Sequence, residues 1–169
     1  MPKGDVSEII VSDTSILVDL ERGNIEAVAF ATRRLAVPDL LYQRELLPHG
    51  GERYLAMGLL VYELNEPEVA LALEVIRGHR KLSLPDAFAL VLAKSRGLFL
   101  ITGDQALRDA AKAHGVSCHG ILWLLDEAMK RDPEQAGNLH GRLTAISEHP
   151  RCRLPKKRWR DDWQITRHG

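Results

Sequence analysis

Apolar residues along this chain fall into short β-branched runs and longer helical stripes that alternate. Ile9-Ile10-Val11 is a run of strand length that stops at Ser12-Asp13. Residues 15–20 then read as a helix broken at Gly23, and 25–34 as a second short helix. Leu35-Ala36-Val37 predicts a strand closed by Pro38, after which Asp39 caps a helix running to Leu47. Gly50-Gly51 is a turn, and 58–62 reads as another strand. Between 66 and 80, Val69, Leu73 and Ile76 recur at the spacing of one helical face. Ser83-Leu84-Pro85-Asp86 opens a helix with Pro85 and Asp86 in its first turn, and Gly97 ends it. Residues 98–101 form an apolar run of strand length. Thr102-Gly103-Asp104 then leads into a helix reaching His114, stopped by Gly115. A last short strand over 116–118 and a helix over 121–130 complete the series. Strands alternating with helices predict an α/β fold: a three-layer α/β/α sandwich whose central sheet is mostly parallel and covered on both faces.

That architecture gives four separated acids a common destination. In open α/β sheets, sites form outside the carboxyl ends of the strands. Asp13 follows the first strand, Asp104 follows the strand at 98–101, and Asp86 lies in the first turn of its helix. Glu45 lies on the helix after the second strand, beside the apolar anchors Leu41 and Leu46. Each acid alone has a plain structural role. Asp13 and Asp104 suit helix caps, Asp86 complements a helix dipole, and Glu45 is an ordinary solvated acid. Gathered on one edge they are costly, because two like charges about 4 Å apart repel by roughly 4 kcal/mol at an effective dielectric of 20. Mg²⁺ or Mn²⁺, which prefer oxygen ligands, would relieve that repulsion. Such an ion lowers the pKa of a bound water and neutralises a phosphodiester, which is nuclease chemistry.

Composition narrows the field further. The 169 residues are 45% hydrophobic and 27% charged, enough apolar material for a core and too much for disorder. No apolar stretch reaches membrane-span length, and the first residues carry Asp5 where a signal peptide would be basic and then apolar. A cytoplasmic protein without a membrane association is expected. The formal net charge of zero argues against a globally basic nucleic-acid binder, so any electropositive surface must be local. One local run exists: Arg151, Arg153, Lys156, Lys157, Arg158 and Arg160, interrupted by Trp159 and followed, after Asp161-Asp162, by Trp163. It reads either as a tail packed back on the domain through its tryptophans or as a contact surface for RNA or a partner. The two cysteines, Cys118 and Cys152, are too few for a disulfide scaffold. Cys118-His119 lacks a second pair at zinc-ligand spacing, so Cys118 is expected to be a buried residue.

Four segments carry a family resemblance. Val11-Ser12-Asp13-Thr14-Ser15 is a strand-and-acid motif, and Val37-Pro38-Asp39 followed by Glu45-Leu46 is a second acidic motif. Leu82-Ser83-Leu84-Pro85-Asp86-Ala87 with Ala93-Lys94 is a third, and Leu100-Ile101-Thr102-Gly103-Asp104 with Leu107-Arg108 a fourth. In order and spacing, over about residues 8 to 130, they resemble the PIN-domain proteins, which include VapC-type toxin ribonucleases. The resemblance implies a PIN-like nuclease domain over 1–131, followed by a helical and basic extension over 132–169. It implies that Asp13, Glu45, Asp86 and Asp104 are the catalytic and metal-holding acids, with Thr14, Ser15 and Thr102 as supporting hydroxyls. Asp39, Glu52 and Glu63 compete with Glu45 for its place.

The implied activity is Mg²⁺- or Mn²⁺-dependent endoribonuclease cleavage, with a 3′ hydroxyl leaving and phosphate kept on the 5′ end. A toxin-like role implies a small antitoxin that presents an Arg or Lys to the carboxylates. Dimers are common in the resembled family, and Ile16, Leu17 and the helix from Glu66 are either a shared surface or core. The rival enzyme classes fit less well. A phosphoacceptor receiver would need a pair of acids after the first strand, and an aspartyl phosphatase an acid where Ser15 stands. The alternative is a non-catalytic PIN-like module that binds RNA or protein.

Overall fold

The computed structural model describes residues 9–148. Strand β1 (Ile9–Ser12) lies at the centre of the sheet. Neighbouring side chains on a strand point to opposite faces, yet Ile10 and Val11 are both fully buried, so both faces of the sheet are covered. The chain continues through helices α1 (Thr14–Arg22) and α2 (Glu26–Thr32) to β2 (Arg34–Pro38). Helix α3 (Asp39–Leu41) runs on as a π turn over Tyr42–Leu46 and a 3₁₀ turn over Leu47–His49. Helix α4 (Glu52–Ala56) and strand β3 (Leu60–Tyr62) follow, then helices α5 (Glu66–Gly78) and α6 (Leu84–Arg96). Strand β4 (Phe99–Ile101), helix α7 (Gln105–Ala113), strand β5 (Cys118–His119) and helices α8 (Ile121–Arg131) and α9 (Ala136–Glu148) complete the described chain.

All strand pairs are parallel, in the order β3-β2-β1-β4-β5. Val11 sits opposite Ala36 on one side and Leu100 on the other. The sheet therefore grows outward in both directions from β1. The crevice at such a reversal, beyond the carboxyl end of the strand, is where this class of sheet places ligands. The helices form two sets. α1, α2, α8 and α9 pack among themselves, while α3, α5 and α7 gather on α6, which lies along β1, β2 and β4. The result is the α/β/α sandwich that the alternation predicts.

Helix α6 is the hub because it is apolar nearly all round. Pro85 and every residue from Ala87 to Ala93 are buried, which a helix tolerates only when covered on all sides. Asp86 is held at its start by a capping box. The Ser83 hydroxyl accepts from the Asp86 N–H at 3.2 Å, and the Asp86 carboxylate accepts from the Ser83 N–H at 3.4 Å. Leu139, Leu143 and Ile146 of α9 join the same hydrophobic core, so α9 packs as part of the body that holds β1.

Several local expectations change. Helix α5 turns Ala72, Val75 and Glu68 inward, while Leu73 is 44% exposed. The buried face of α5 therefore runs through Ala72 and Val75, and of the Val69–Leu73–Ile76 stripe Leu73 is exposed and the other two are partly buried. Asp39 is the first residue of its helix rather than its cap, and its carboxylate accepts from the Leu40 N–H at 2.8 Å. Ile16 and Leu17 are core residues, not surface. The strand expected over 116–118 shifts to Cys118–His119, and the one expected over 58–62 shortens to Leu60–Tyr62.

Candidate active site

The site grows from the carboxyl end of β1. Asp13 directly follows the strand, is only 2% exposed, and caps α1 by accepting from the Ile16 N–H at 3.0 Å. Its own N–H donates to the Ile101 carbonyl on β4 at 3.2 Å, which fixes it at the seam between the two central strands. The Ser15 hydroxyl donates to both carboxylate oxygens at 2.8 and 2.9 Å, and the Thr102 hydroxyl donates to Oδ2. Burial pushes the Asp13 carboxyl up from its ordinary 3.8 to about 6. The bonds from Thr102, Ile16 and Ser15 oppose that shift, and the negative charge of Asp86 adds to it.

Thr102 ties the first and fourth strand ends together. It is fully buried, and its Oγ1 also accepts from the Asp104 N–H at 3.0 Å. Asp104 caps α7 by accepting from the Leu107 N–H at 3.1 Å. The guanidinium of Arg108 donates to the Thr102 carbonyl at 3.0 Å. Glu45 enters from the π turn, an irregularity that local helix propensity does not demand and that recurs at functional sites. Its Oε2 accepts from the Thr14 hydroxyl. The three supporting hydroxyls thus each hold one of the acids.

Asp13, Glu45, Asp86 and Asp104 line one cleft of 540 Å³, whose walls also include Thr14, Ser15, Glu21, Arg44, His49, Arg53 and Tyr54. Asp39, Glu52 and Glu63, the competitors of Glu45, are not among its lining residues. The carboxylates are turned toward hydroxyls and backbone N–H groups. Among the described residues, no three His, Cys, Asp or Glu side chains form a group poised to hold an ion. The donor set itself is nonetheless suited to a hard cation, being carboxylate and hydroxyl oxygen throughout. A cation beside buried Asp13 would also favour the ionised form that burial disfavours.

Sequence reasoning did not anticipate the wall formed by Glu21, Arg44, His49, Arg53 and Tyr54. Gly51 makes it. A Cβ there would lie 2.6 Å from the carbonyl carbon of Leu46, so only glycine lets the turn close onto the π turn, where the Gly51 N–H donates to the Leu46 carbonyl at 2.9 Å. Arg53 then reaches Glu21 and lies over the Tyr54 ring at 4.7 Å, while the Tyr54 hydroxyl donates to Glu21 at 3.0 Å. The adjacent Arg44-Glu45 pair and the Gly50-Gly51 turn were the available signals.

Two other features resolve simply. Cys118 is half-buried rather than buried, and burial pushes its thiol up to about 11, which makes it a poor metal ligand or nucleophile. The basic run from Arg151 to Arg160 lies outside the described residues. No described helix is long and apolar enough to cross a membrane.

A family model described as a PIN domain (DUF3368) matches residues 9–161, and the chain belongs to this family. The match continues beyond residue 131 into the C-terminal extension. Among solved structures, the chain is similar to a PilT N-terminus domain protein from the hyperthermophilic archaeon Sulfolobus solfataricus P2. That likeness has 17% identity and a TM-score of 0.50, covers 72% of this chain and 93% of the other, and is a likeness of fold. The chain also matches a component of a toxin-antitoxin complex from Klebsiella pneumoniae at 22% identity and a TM-score of 0.46, over 56% of this chain and 86% of the other. No curated protein matches.

Proposed function

We propose that this PIN-domain protein is a cytoplasmic, divalent-metal-dependent endoribonuclease. The observation that carries the proposal is the convergence of Asp13, Glu45, Asp86 and Asp104 on one cleft at the point where the sheet reverses. These four would hold Mg²⁺ or Mn²⁺. A bound ion supplies an acidified water and neutralises charge on the phosphodiester. The chain's own hydroxyls have a different task. Ser15 and Thr102 hold the carboxylate of Asp13, and Thr14 holds that of Glu45, so these two acids are kept at the cleft by protein hydrogen bonds. RNA as the substrate follows the family resemblance, as does release of 5′-phosphate ends.

A second reading, a non-catalytic PIN-like binding module, is favoured by one observation. Asp13, Asp86 and Asp104 all serve as helix caps or capping-box partners, so helix ends alone account for three of the four acids. Incubation of labelled RNA with Mn²⁺ separates the two. The nuclease reading expects cleavage by the wild type and its loss in Asp13→Asn, Asp86→Asn and Asp104→Asn, each still folded. Cleavage by all three variants at the wild-type rate would overturn it.

Control by a partner fits the same site. An antitoxin-like protein placing an Arg or Lys among the carboxylates would form charge-assisted bonds where the metal would sit. A homodimer would draw on α5, whose Leu73 stands exposed, since Ile16 and Leu17 are sequestered in the core.

A further inference from the structure

We infer that Arg44 and His49 form a phosphate subsite on the wall of this cleft, holding a phosphate of single-stranded RNA next to the one at the acids. The inference rests on the nuclease reading and adds how the substrate backbone is positioned. Both residues line the same cleft as the four carboxylates. Both are exposed, and among the described residues neither side chain has an ion-pair or hydrogen-bond partner. Arg44 is adjacent to Glu45 in the π turn, yet the two form no ion pair, and the Glu45 Oε2 accepts from the Thr14 hydroxyl instead.

The backbone that carries the two donors is fixed. Arg53 is already occupied: its Nη1 donates to the His49 carbonyl at 3.1 Å and the Gly50 carbonyl at 3.3 Å, and its Nη2 is engaged by Glu21. Arg53 therefore braces the turn instead of offering donors to a ligand. Gly50, at φ +77°, and Gly51, seated against Leu46, close that turn onto the segment bearing Arg44. A guanidinium grips phosphate oxygens in a fork, and an imidazole keeps at least one N–H donor in either protonation state. A cleft lined by both carboxylates and these donors suits a polyanion with one phosphate at a cation and the next at Arg44 and His49.

The test is binding of a short fluorescein-labelled single-stranded RNA to the full chain in Ca²⁺ buffer, by anisotropy across a salt series. Arg44→Gln and His49→Gln are compared with wild type, and Arg34→Gln serves as the control. Arg34 is exposed at the amino end of β2, away from the strand ends that build the site. Both subsite variants should bind several-fold more weakly with unchanged melting temperature. Arg44→Gln should also flatten the slope of log affinity against log salt by about 0.7, the loss of one phosphate contact on a single strand. Unchanged affinity and slope in both variants would overturn the subsite and leave the nuclease reading standing. An equal loss in Arg34→Gln would overturn it as general charge attraction. No RNA binding by the wild type would overturn both.

Discussion

Asp13 carries two roles that pull in opposite directions. As a helix cap it is satisfied by the Ile16 N–H, and as a buried carboxyl it resists ionisation. Its folded-state pKa of about 6 lies above the ordinary 3.8, so the folded protein binds this proton more tightly than the unfolded chain. The resulting stabilisation is complete below pH 3.8 and is lost as pH rises through about 6. By pH 7.5 the folded state has lost about 3 kcal/mol of stability relative to low pH, because the charge is harder to place in the buried site than in the unfolded chain. Asp13→Asn keeps the capping oxygen and removes the charge. The variant should melt higher than wild type at pH 7.5, and the gain should shrink toward pH 5. A gain that is constant between these values, measured by thermal denaturation, would show that Asp13 is not titrating in this window. Glu127 does not confuse the result, because the Arg33 bond holds its carboxyl below its ordinary range and it titrates at lower pH.

At the scale of elements, the start of α6 separates capping from ligation. Ser83 and Asp86 share the capping box, but only Asp86 lines the cleft. Ser83→Ala should lower stability by about 1 kcal/mol in urea unfolding and leave any metal response intact. Asp86→Asn should retain much of the cap and lose the metal response. Equal behaviour of the two variants in Mn²⁺ would reduce Asp86 to a cap.

The elements also show what a sequence discloses. The strands β1, β2 and β4 were legible because buried parallel strands are written as unbroken apolar runs, and Asp13 and Asp104 were legible because they lie just beyond the ends of two of those runs. The inward face of α5 was not, because Ala72 and Val75 are buried while the larger Leu73 is exposed, and which face turns inward is set by the packing of α5 on α6 and not by either helix alone. Nor was the wall of Arg44, His49 and Arg53, which exists only once Gly51 closes its turn onto Leu46. The Arg53–Glu21 pair joins residues far apart in the chain, and no local pattern encodes it.

For the whole molecule, the cleft is a concentration of negative charge, with Asp13, Glu21, Glu45, Asp86 and Asp104 on its surface against Arg44 and Arg53. The core beneath runs from β1 to Leu143 and Ile146 of α9, so the elements that carry the carboxylates share one hydrophobic body. A cation bound only by the folded state would stabilise the entire domain by mass action, by about 2.7 kcal/mol at one hundred times its dissociation constant. In a chain of this size that corresponds to a rise of about 5–10 °C in melting temperature. The most direct measurement is thermal denaturation of the full chain across a Mn²⁺ titration, for wild type and for Asp13→Asn, Asp86→Asn and Asp104→Asn. A shared metal site predicts a saturable rise in wild type that each variant blunts. The same rise in all four proteins, or none in wild type, would contradict it.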